Sequence, residues 1–152
     1  MITKTVTRLA IASSLALILS ALWWTVPEAA AEDVTVYKTA QCGCCAKWIE
    51  HLSCNGFDVT ANNLASVDMM RSAYGVPAQL ASCHTAVVAG YVVEGHVPAD
   101  AIQRLLRERP RIKGIAVAGM PAGSPGMEGA RAQHYDIISF DAQGKTALYE
   151  SR

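Results

Sequence analysis

One stretch of the chain decides the fold: Asp33 to Leu52, which reads DVTVYKTAQCGCCAKWIEHL. Its first seven residues alternate apolar with polar side chains and are rich in β-branched and aromatic types, which predicts a strand over 33–39. Apolar residues then recur every three or four positions, which predicts an amphipathic helix that ends at Asn55-Gly56. A strand that leads directly into a helix with cysteines in its first turn indicates an α/β fold of the thioredoxin type.

The rest of the chain continues the alternation of strands and helices. The predicted elements are a strand over 57–63, a short helix over 66–74, a β-branched run over 85–93 that Gly90 breaks into a hairpin or bulge, a helix over 98–106 ended by Pro110, and strands over 136–140 and 146–149. Residues 114–129 contain five glycines and two prolines, which predicts an irregular loop over 119–128. We therefore expect a central mixed sheet with flanking helices, followed by a Gly/Pro-rich loop over 119–128 and a C-terminal β-hairpin.

The N-terminal segment has the features of a signal peptide. Lys4 and Arg8 precede an apolar run over 9–24, and Ala29-Ala30-Ala31 offers a small-residue cleavage site. The alternative is an uncleaved membrane anchor, but the run is short for a bilayer span of about 20 residues. We expect cleavage after residue 31, export to the periplasm, and a single domain over 32–152 with no stable membrane insertion. A formal net charge of zero offers no electrostatic case for binding nucleic acid.

The five cysteines of the chain are unevenly distributed. An odd number cannot all pair internally, and Cys42, Cys44 and Cys45 lie too close together in sequence for the crosslinks that join distant segments. A helix N-terminus lowers thiol pKa, and thiolate is both the nucleophile of disulfide exchange and the ligand form for soft metals. The third adjacent sulfur favours a metal site, with Cu(I) as the leading ion, over a simple dithiol redox pair.

Further soft ligands are predicted from the segments that a thioredoxin-type topology brings near the cluster. Cys83 and His84 precede the third strand, and Cys83 is the expected fourth ligand. Met120 and Met127 flank the Gly/Pro-rich loop and are candidate thioether ligands, although methionine often only fills a core. His96, at a strand end before the long helix, could be a loop residue at the helix N-terminus, a ligand or a solvated histidine, and the solvated histidine is our interpretation. Cys54 lies about 13 Å along the helix from Cys45 and is expected to be outside the site.

Four motifs in this order carry a resemblance to a known family. They are Cys42-Gly43-Cys44-Cys45, Ser82-Cys83-His84-Thr85-Ala86, the run from Gly90 to Pro98, and Gly119-Met120-Pro121 through Gly126-Met127-Glu128. Over residues 34–150 the chain resembles the CopG-like copper-resistance proteins of the bacterial periplasm. The resemblance implies a thioredoxin-like fold, copper bound by Cys42, Cys44, Cys45 and Cys83, and a part in envelope copper handling that includes copper redox activity. Cys54 lies outside the motifs.

Two hypotheses for the function follow. The first is a periplasmic copper-binding protein that sequesters or redox-converts Cu(I)/Cu(II), with thiolates that bridge more than one ion and with envelope copper-export or redox proteins as partners. The alternative is a thiol-disulfide oxidoreductase in which Cys42 attacks and Cys45 resolves. The absence of a proline beside Ser82–Thr85 weakens that alternative, because thioredoxin-type sites carry a cis-proline there. Zinc is disfavoured, since structural zinc sites usually draw pairs of ligands from two separate turns.

Overall fold

The predicted strand and helix of the opening stretch are both present. Strand β1 spans Glu32–Thr39 and leads through a turn into helix α1, which spans Gly43–Cys54. The buried residues of α1 are Cys45, Trp48 and Leu52, three of the positions at helical spacing. Residues 31–129 and 131–152 are described in this computed structural model, so residues 1–30 of the predicted signal peptide lie outside the described residues.

Strands and helices continue to alternate, and all the remaining elements except the 3₁₀ turn and β5 were predicted. The remaining elements are β2 (Phe57–Leu64), α2 (Asp68–Ala73), a short 3₁₀ turn (Ala78–Leu80), β3 (His84–Val88), β4 (Tyr91–Glu94), α3 (Ala99–Glu108), β5 (Gly114–Ala116), β6 (Asp136–Phe140) and β7 (Thr146–Ser151). Within the described residues, no helix is long and apolar enough to cross a membrane.

All seven strands form one mixed sheet in the order β2-β1-β3-β4-β5-β6-β7. β1 runs parallel to β2 and antiparallel to β3, and β4 runs parallel to β5, while the other neighbouring pairs are antiparallel. The prediction of an α/β fold with a mixed sheet is confirmed. Its finer assignment to the thioredoxin type stays a prediction.

β3 and β4 form a hairpin with the two-residue turn Ala89-Gly90. Both residues have positive φ, 45° and 86°, as in the mirror-image turns that match the twist of paired strands. The break at Gly90 is therefore a tight turn, and the register runs from Val88 opposite Tyr91 to Thr85 opposite Glu94. This register brings the start of β3 beside the end of β4, where the candidate ligands lie.

Strand β5 was not predicted from the sequence. Its residues fall at the start of the glycine-rich segment, just before the predicted loop over 119–128, where no strand was predicted. A Cβ at Gly114 would lie 2.8 Å from the Phe140 ring and even closer to the Val92 backbone, so only glycine fits between the neighbouring strands. Glycine inside a strand marks such a close approach, which explains why composition alone indicated a loop.

The main core lies between the sheet and helices α1 and α3. It contains side chains of β1, α1, α3, β5 and β6, among them Val34, Val36, Trp48, Leu52, Ile102, Leu105, Ile115 and Ile137, all 2% exposed or less. Trp48 Nε1 donates to the Val97 carbonyl at 2.8 Å. This bond ties the first helix to the chain just after His96 and so fixes α1 relative to the end of the β3–β4 hairpin.

Candidate metal centre

The first part of the site is the turn between β1 and α1. Cys42 is the N-terminal cap residue of α1, and its N–H donates to the Thr39 carbonyl at 3.2 Å. In this structure a disulfide joins Cys42 to Cys45, with the two Cα atoms 5.3 Å apart. Cys44, between them, is a free thiol. The turn therefore presents three sulfurs at one helix N-terminus.

Cys83 completes the sulfur cluster from the residue before β3. Its Sγ lies 3.9 Å from Cys44 Sγ, which in turn lies 3.5 Å from Cys42 Sγ, and Cys45 Sγ lies 3.7 Å from the Cys83 carbonyl oxygen. All four sulfurs are within 4.8 Å of one another. The antiparallel pairing of β3 with β1, in which His84 lies opposite Lys38, brings Cys83 to the turn where α1 begins.

His96 also belongs to the site, and its interpretation as a solvated residue is wrong. The residue is fully buried, and its Nε2 lies 2.8 Å from Cys83 Sγ. Its other ring nitrogen, Nδ1, lies 2.8 Å from the Pro125 carbonyl. Because a carbonyl can only accept, Nδ1 carries the proton and Nε2 presents a lone pair toward Cys83.

A sequence signal for His96 existed in the hairpin. A two-residue turn at Ala89-Gly90 pairs residues that lie equal numbers of steps on either side of it. The His84 carbonyl accepts from the Gly95 N–H at 3.0 Å, which continues that register beyond the strands. One residue further along each strand, the same register places His96 opposite Cys83. The sequence analysis left both a hairpin and a bulge open at Gly90, so this pairing was not predicted.

His84 lies on the inner side of the cluster. Its Nδ1 is 3.5 Å from Cys83 Sγ, and its ring stacks on Trp48 with the centroids 4.3 Å apart. Its buried Nε2 has no hydrogen-bond partner in the described part of the chain. Cys83, His84 and His96 form a second group whose ligand atoms all lie within 4.8 Å of one another. Cys83 is therefore common to two groups of metal-ligating residues.

Burial controls the protonation of these side chains. Burial, reinforced by the neighbouring Cys44 sulfur, raises the pKa of Cys83 to about 12. Burial, reinforced by His96, lowers the pKa of His84 to about 3, and burial also lowers the pKa of His96. The two imidazoles are thus neutral, which is the form that binds metals. The Cys83 thiol keeps its proton until a metal cation displaces that proton or a base removes it.

The Gly/Pro-rich loop lies against the cluster. A Cβ at Gly126 would lie 2.6 Å from the Cys44 carbonyl oxygen and 3.4 Å from His96 Nδ1, so the loop backbone touches both elements of the site. Met127 follows directly and is half-buried. Met120 is 53% exposed, and the residue before it, Gly119, accepts a hydrogen bond from Ser82 Oγ. A ligand role for either methionine stays a prediction.

The other candidate side chains lie outside the cluster. Cys54 is an exposed free thiol at the C-terminal end of α1, as its position along the helix predicts. His51 Nε2 accepts from the Ala99 N–H at 3.1 Å and so caps the start of α3. His134 is exposed on the chain before β6. The structure gathers Cys42, Cys44, Cys45, Cys83 and His84, adds His96, and leaves these three out.

Comparisons with known proteins identify the family. A family model described as "Protein of unknown function, DUF411" matches residues 80–127. A solved structure named "Copper resistance protein copG- Form 2" is 44% identical, with a TM-score of 0.76, and the match covers 80% of this chain and 98% of that chain. The chain belongs to the CopG family of copper-resistance proteins.

A second CopG structure, Form 1, gives an equivalent match. It is 45% identical with a TM-score of 0.75, over 79% of this chain and 96% of that chain. A comparison with curated protein sequences gave no match. The resemblance inferred from the four sequence motifs is therefore confirmed. The family model covers the motifs at 82–86 and 90–98 and all but the last residue of the motif at 119–128. The Cys42–Cys45 motif lies before the matched residues.

Proposed function

We propose that this CopG-family protein binds Cu(I) through the thiolates of Cys42, Cys44, Cys45 and Cys83 and thereby contributes to copper resistance in the periplasm. The observation that carries the proposal is the gathering of these four sulfurs within 4.8 Å of one another. Two solved relatives are named copper resistance proteins. Thiolates at a helix N-terminus are soft ligands that suit Cu(I).

The spacing of the sulfurs suits metal binding. Metal–thiolate bonds of about 2.3 Å place two sulfurs on one ion no more than about 4.6 Å apart. The sulfur pairs here, at 3.5 Å and 3.9 Å for Cys44 with Cys42 and Cys83, already fall within that limit. Because Cys83 also belongs to the group with His84 and His96, we propose that the site holds more than one copper ion, with Cys83 between the sulfur side and the histidine side.

The Cys42–Cys45 disulfide must be reduced before these two sulfurs can bind copper, and this links binding to redox chemistry. Oxidation of the dithiol to the disulfide releases two electrons and two protons. Two Cu(II) ions that accept one electron each become two Cu(I), so the step balances. We propose that the protein either sequesters Cu(I) or redox-converts Cu(II) in this way. We propose that the Gly/Pro-rich loop supplies Met120 and Met127 as additional thioether ligands.

We propose the periplasm as the compartment on the strength of the N-terminal segment, with its basic start and alanine triplet at 29–31. In that compartment the proposed partners are copper ions and envelope copper-export or redox proteins. Nucleic acid is not among the proposed partners, since the formal net charge of the chain is zero.

Copper analysis of the reduced protein tests the copper-binding proposal. Wild-type protein loaded anaerobically with Cu(I) and passed over a desalting column is expected to retain copper, and Cys42→Ser and Cys45→Ser to lose most of it. Cys54→Ser is the matched control, because Cys54 is a free thiol outside the cluster, and is expected to retain the wild-type amount. Unchanged copper in both cluster variants would contradict the proposal.

The second candidate is a thiol-disulfide oxidoreductase, favoured by the disulfide at the C-x-x-C spacing of a helix N-terminus. In that reaction the reduced Cys42–Cys45 pair would become the disulfide while a substrate disulfide takes up two electrons and two protons. Catalytic reduction of insulin disulfides in copper-free buffer, lost in Cys42→Ser, would support this candidate. Copper retention without insulin reduction would leave copper binding as the function.

A further inference from the structure

Next to the cluster, a buried ion pair joins helix α2 to the end of β4. Arg71 Nε donates to Glu94 Oε1 at 2.9 Å, and Glu94 is fully buried. Thr85 Oγ1 donates to Glu94 Oε2 at 2.6 Å, so both carboxylate oxygens accept hydrogen bonds. Replacement of a buried ion pair by apolar side chains is often neutral or stabilising. Stability alone therefore does not account for this pair.

The ion pair holds both peptide groups of Ser82, the residue before Cys83. The Ser82 N–H donates to Glu94 Oε1 at 2.8 Å, and the Ser82 carbonyl accepts from Arg71 Nη2 at 2.5 Å. On the other side of Cys83, the hairpin bond from the Gly95 N–H holds the His84 carbonyl at 3.0 Å. The backbone on each side of Cys83 is thus fixed, and only the Ser82 side depends on charged side chains.

Ser82 is also packed closely against the end of β4. A Cβ at Gly95 would lie 2.5 Å from Ser82 Oγ and 2.5 Å from the Val117 carbonyl oxygen, so no larger residue fits there. Ser82 Oγ donates to the Gly119 carbonyl, and the Gly119 N–H donates to the Ala81 carbonyl at 3.2 Å. The segment that carries Cys83 is therefore connected to the residue that precedes Met120.

We propose that Arg71 and Glu94 are positioning residues that hold Cys83 Sγ beside Cys44 and His96 by fixing the backbone of Ser82. The guanidinium fork of Arg71 is suited to this, since it reaches the Glu94 carboxylate and the Ser82 carbonyl at once. The role rests on the proposed function, because the placement of Cys83 matters for binding copper. Arg71 and Glu94 act through Ser82 and not as ligands.

A thiol-labelling experiment tests the positioning role without copper. Protein purified after export is treated with iodoacetamide under native conditions. The labelling rate of each free cysteine is then measured by peptide mass spectrometry. Glu94→Gln keeps the side-chain shape but removes the charge, and Arg71→Lys keeps the charge but lacks the fork. We expect Cys83 to be labelled at least fivefold faster in both variants, with the exposed Cys54 unchanged as the internal control.

Asp68→Asn is the matched control variant. Asp68 pairs with Arg71 Nη1 at 2.6 Å, but its side chain is 80% exposed and, among the described residues, it forms no hydrogen bond with Ser82. This variant removes an ion pair from Arg71 and leaves the hydrogen bonds to Ser82, so the Cys83 labelling rate should equal that of the wild type. An unchanged rate in Glu94→Gln and Arg71→Lys, or an equal increase in Asp68→Asn, would overturn the positioning role.

Cu(I) affinity provides the second readout. In competition with the chelator bathocuproine disulfonate, Glu94→Gln and Arg71→Lys are expected to bind Cu(I) at least tenfold more weakly than the wild type. In a Cys83→Ser background neither substitution should weaken binding further, and an equal tenfold loss there would overturn an action through Cys83. If the wild type binds no Cu(I), the proposed function fails, whereas the labelling rates still decide whether Arg71 and Glu94 position Cys83.

Discussion

At the scale of single residues, Gly126 is the point where the loop packs directly on the backbone of helix α1. Its φ is +83°, and an added Cβ would lie 2.6 Å from the Cys44 carbonyl oxygen and 2.9 Å from the Trp48 backbone nitrogen. Both neighbours are helix backbone and cannot rotate away. We expect Gly126→Ala to lower the free energy of unfolding by about 2 kcal/mol or more, from left-handed strain together with overpacking, as measured by urea denaturation.

Gly129→Ala is the control for that substitution. A Cβ at Gly129 meets none of the described residues within 4 Å, and its φ is not positive, so the change should stay within about 0.5 kcal/mol. Equal stabilities of the two alanine variants would show that the loop does not depend on close contact with the first turn of α1.

The buried histidines make stability depend on pH. Burial lowers the pKa of His84 from 6.5 to about 3 and also lowers the pKa of His96 and of His51. Below pH 6.5 the unfolded chain therefore binds protons that the folded chain does not. We expect the unfolding free energy of the metal-free protein to be higher at pH 7 than at pH 5. As the pH falls from 6.5 toward 5, His84 alone should remove up to about 1.4 kcal/mol per pH unit.

Urea unfolding at pH 7.0, 6.0 and 5.0 measures this dependence, in a range above the ordinary pKa of the carboxyl groups. The His84→Gln variant should show a shallower decrease, since Gln does not titrate. A free energy of unfolding that is the same at pH 7.0 and 5.0 in the wild type would contradict the burial of neutral histidines.

At the scale of elements, helix α1 begins without a side-chain cap. Cys42 has the extended backbone of a cap residue, φ −72° and ψ 93°, but its side chain makes no capping hydrogen bond. Serine is preferred at this position because its hydroxyl accepts from the exposed N–H groups. In reduced, metal-free protein we expect Cys42→Ser to raise the free energy of unfolding by about 0.5–1 kcal/mol while it abolishes the disulfide and weakens copper binding.

The midpoint of thermal unfolding, measured in the presence of reductant and a copper chelator, tests whether Cys42→Ser stabilises the reduced, metal-free protein. Cys54→Ser removes a sulfur at the other end of the same helix, where the hydroxyl gains no capping role, and is expected to leave the midpoint unchanged. A lower midpoint for Cys42→Ser than for Cys54→Ser would mean that the Cys42 thiol itself stabilises the turn.

The elements that the sequence predicted well are those with local signals. β1 and α1 carry clear periodicities, and α3 ends before Pro110 as expected, although it begins at Ala99, one residue later than predicted, with Pro98 as its N-cap residue. β5 was missed because the close approach of its neighbours requires Gly114, and glycine indicates a loop when its neighbours are unknown. The contact of His96 with Cys83 depended on resolving a two-residue hairpin turn from a bulge, a difference of one residue in register.

At the scale of the whole molecule, the site combines residues that are far apart in the chain. The turn at 42–45, the start of β3, the end of β4 and the loop at 125–126 meet only in the folded protein. Local patterns identified the cysteines of the cluster, because the C-x-C-C spacing and Cys83 are visible in the sequence. The Arg71–Glu94 pair joins residues 23 positions apart, and no local pattern predicts such a contact.

Cleavage of the proposed signal peptide would set the N-terminus of the exported protein. β1 begins at Glu32, so cleavage after Ala31 would leave every described strand intact. We expect the periplasmic protein to begin at Glu32 by intact-mass spectrometry. The double variant Ala29→Leu/Ala31→Leu should keep the longer N-terminus, because the cleavage site needs small residues at these two positions, whereas Ala30→Leu between them should be cleaved normally. A periplasmic protein that still begins at Met1 would instead support a retained membrane anchor, with the copper site held at the membrane surface.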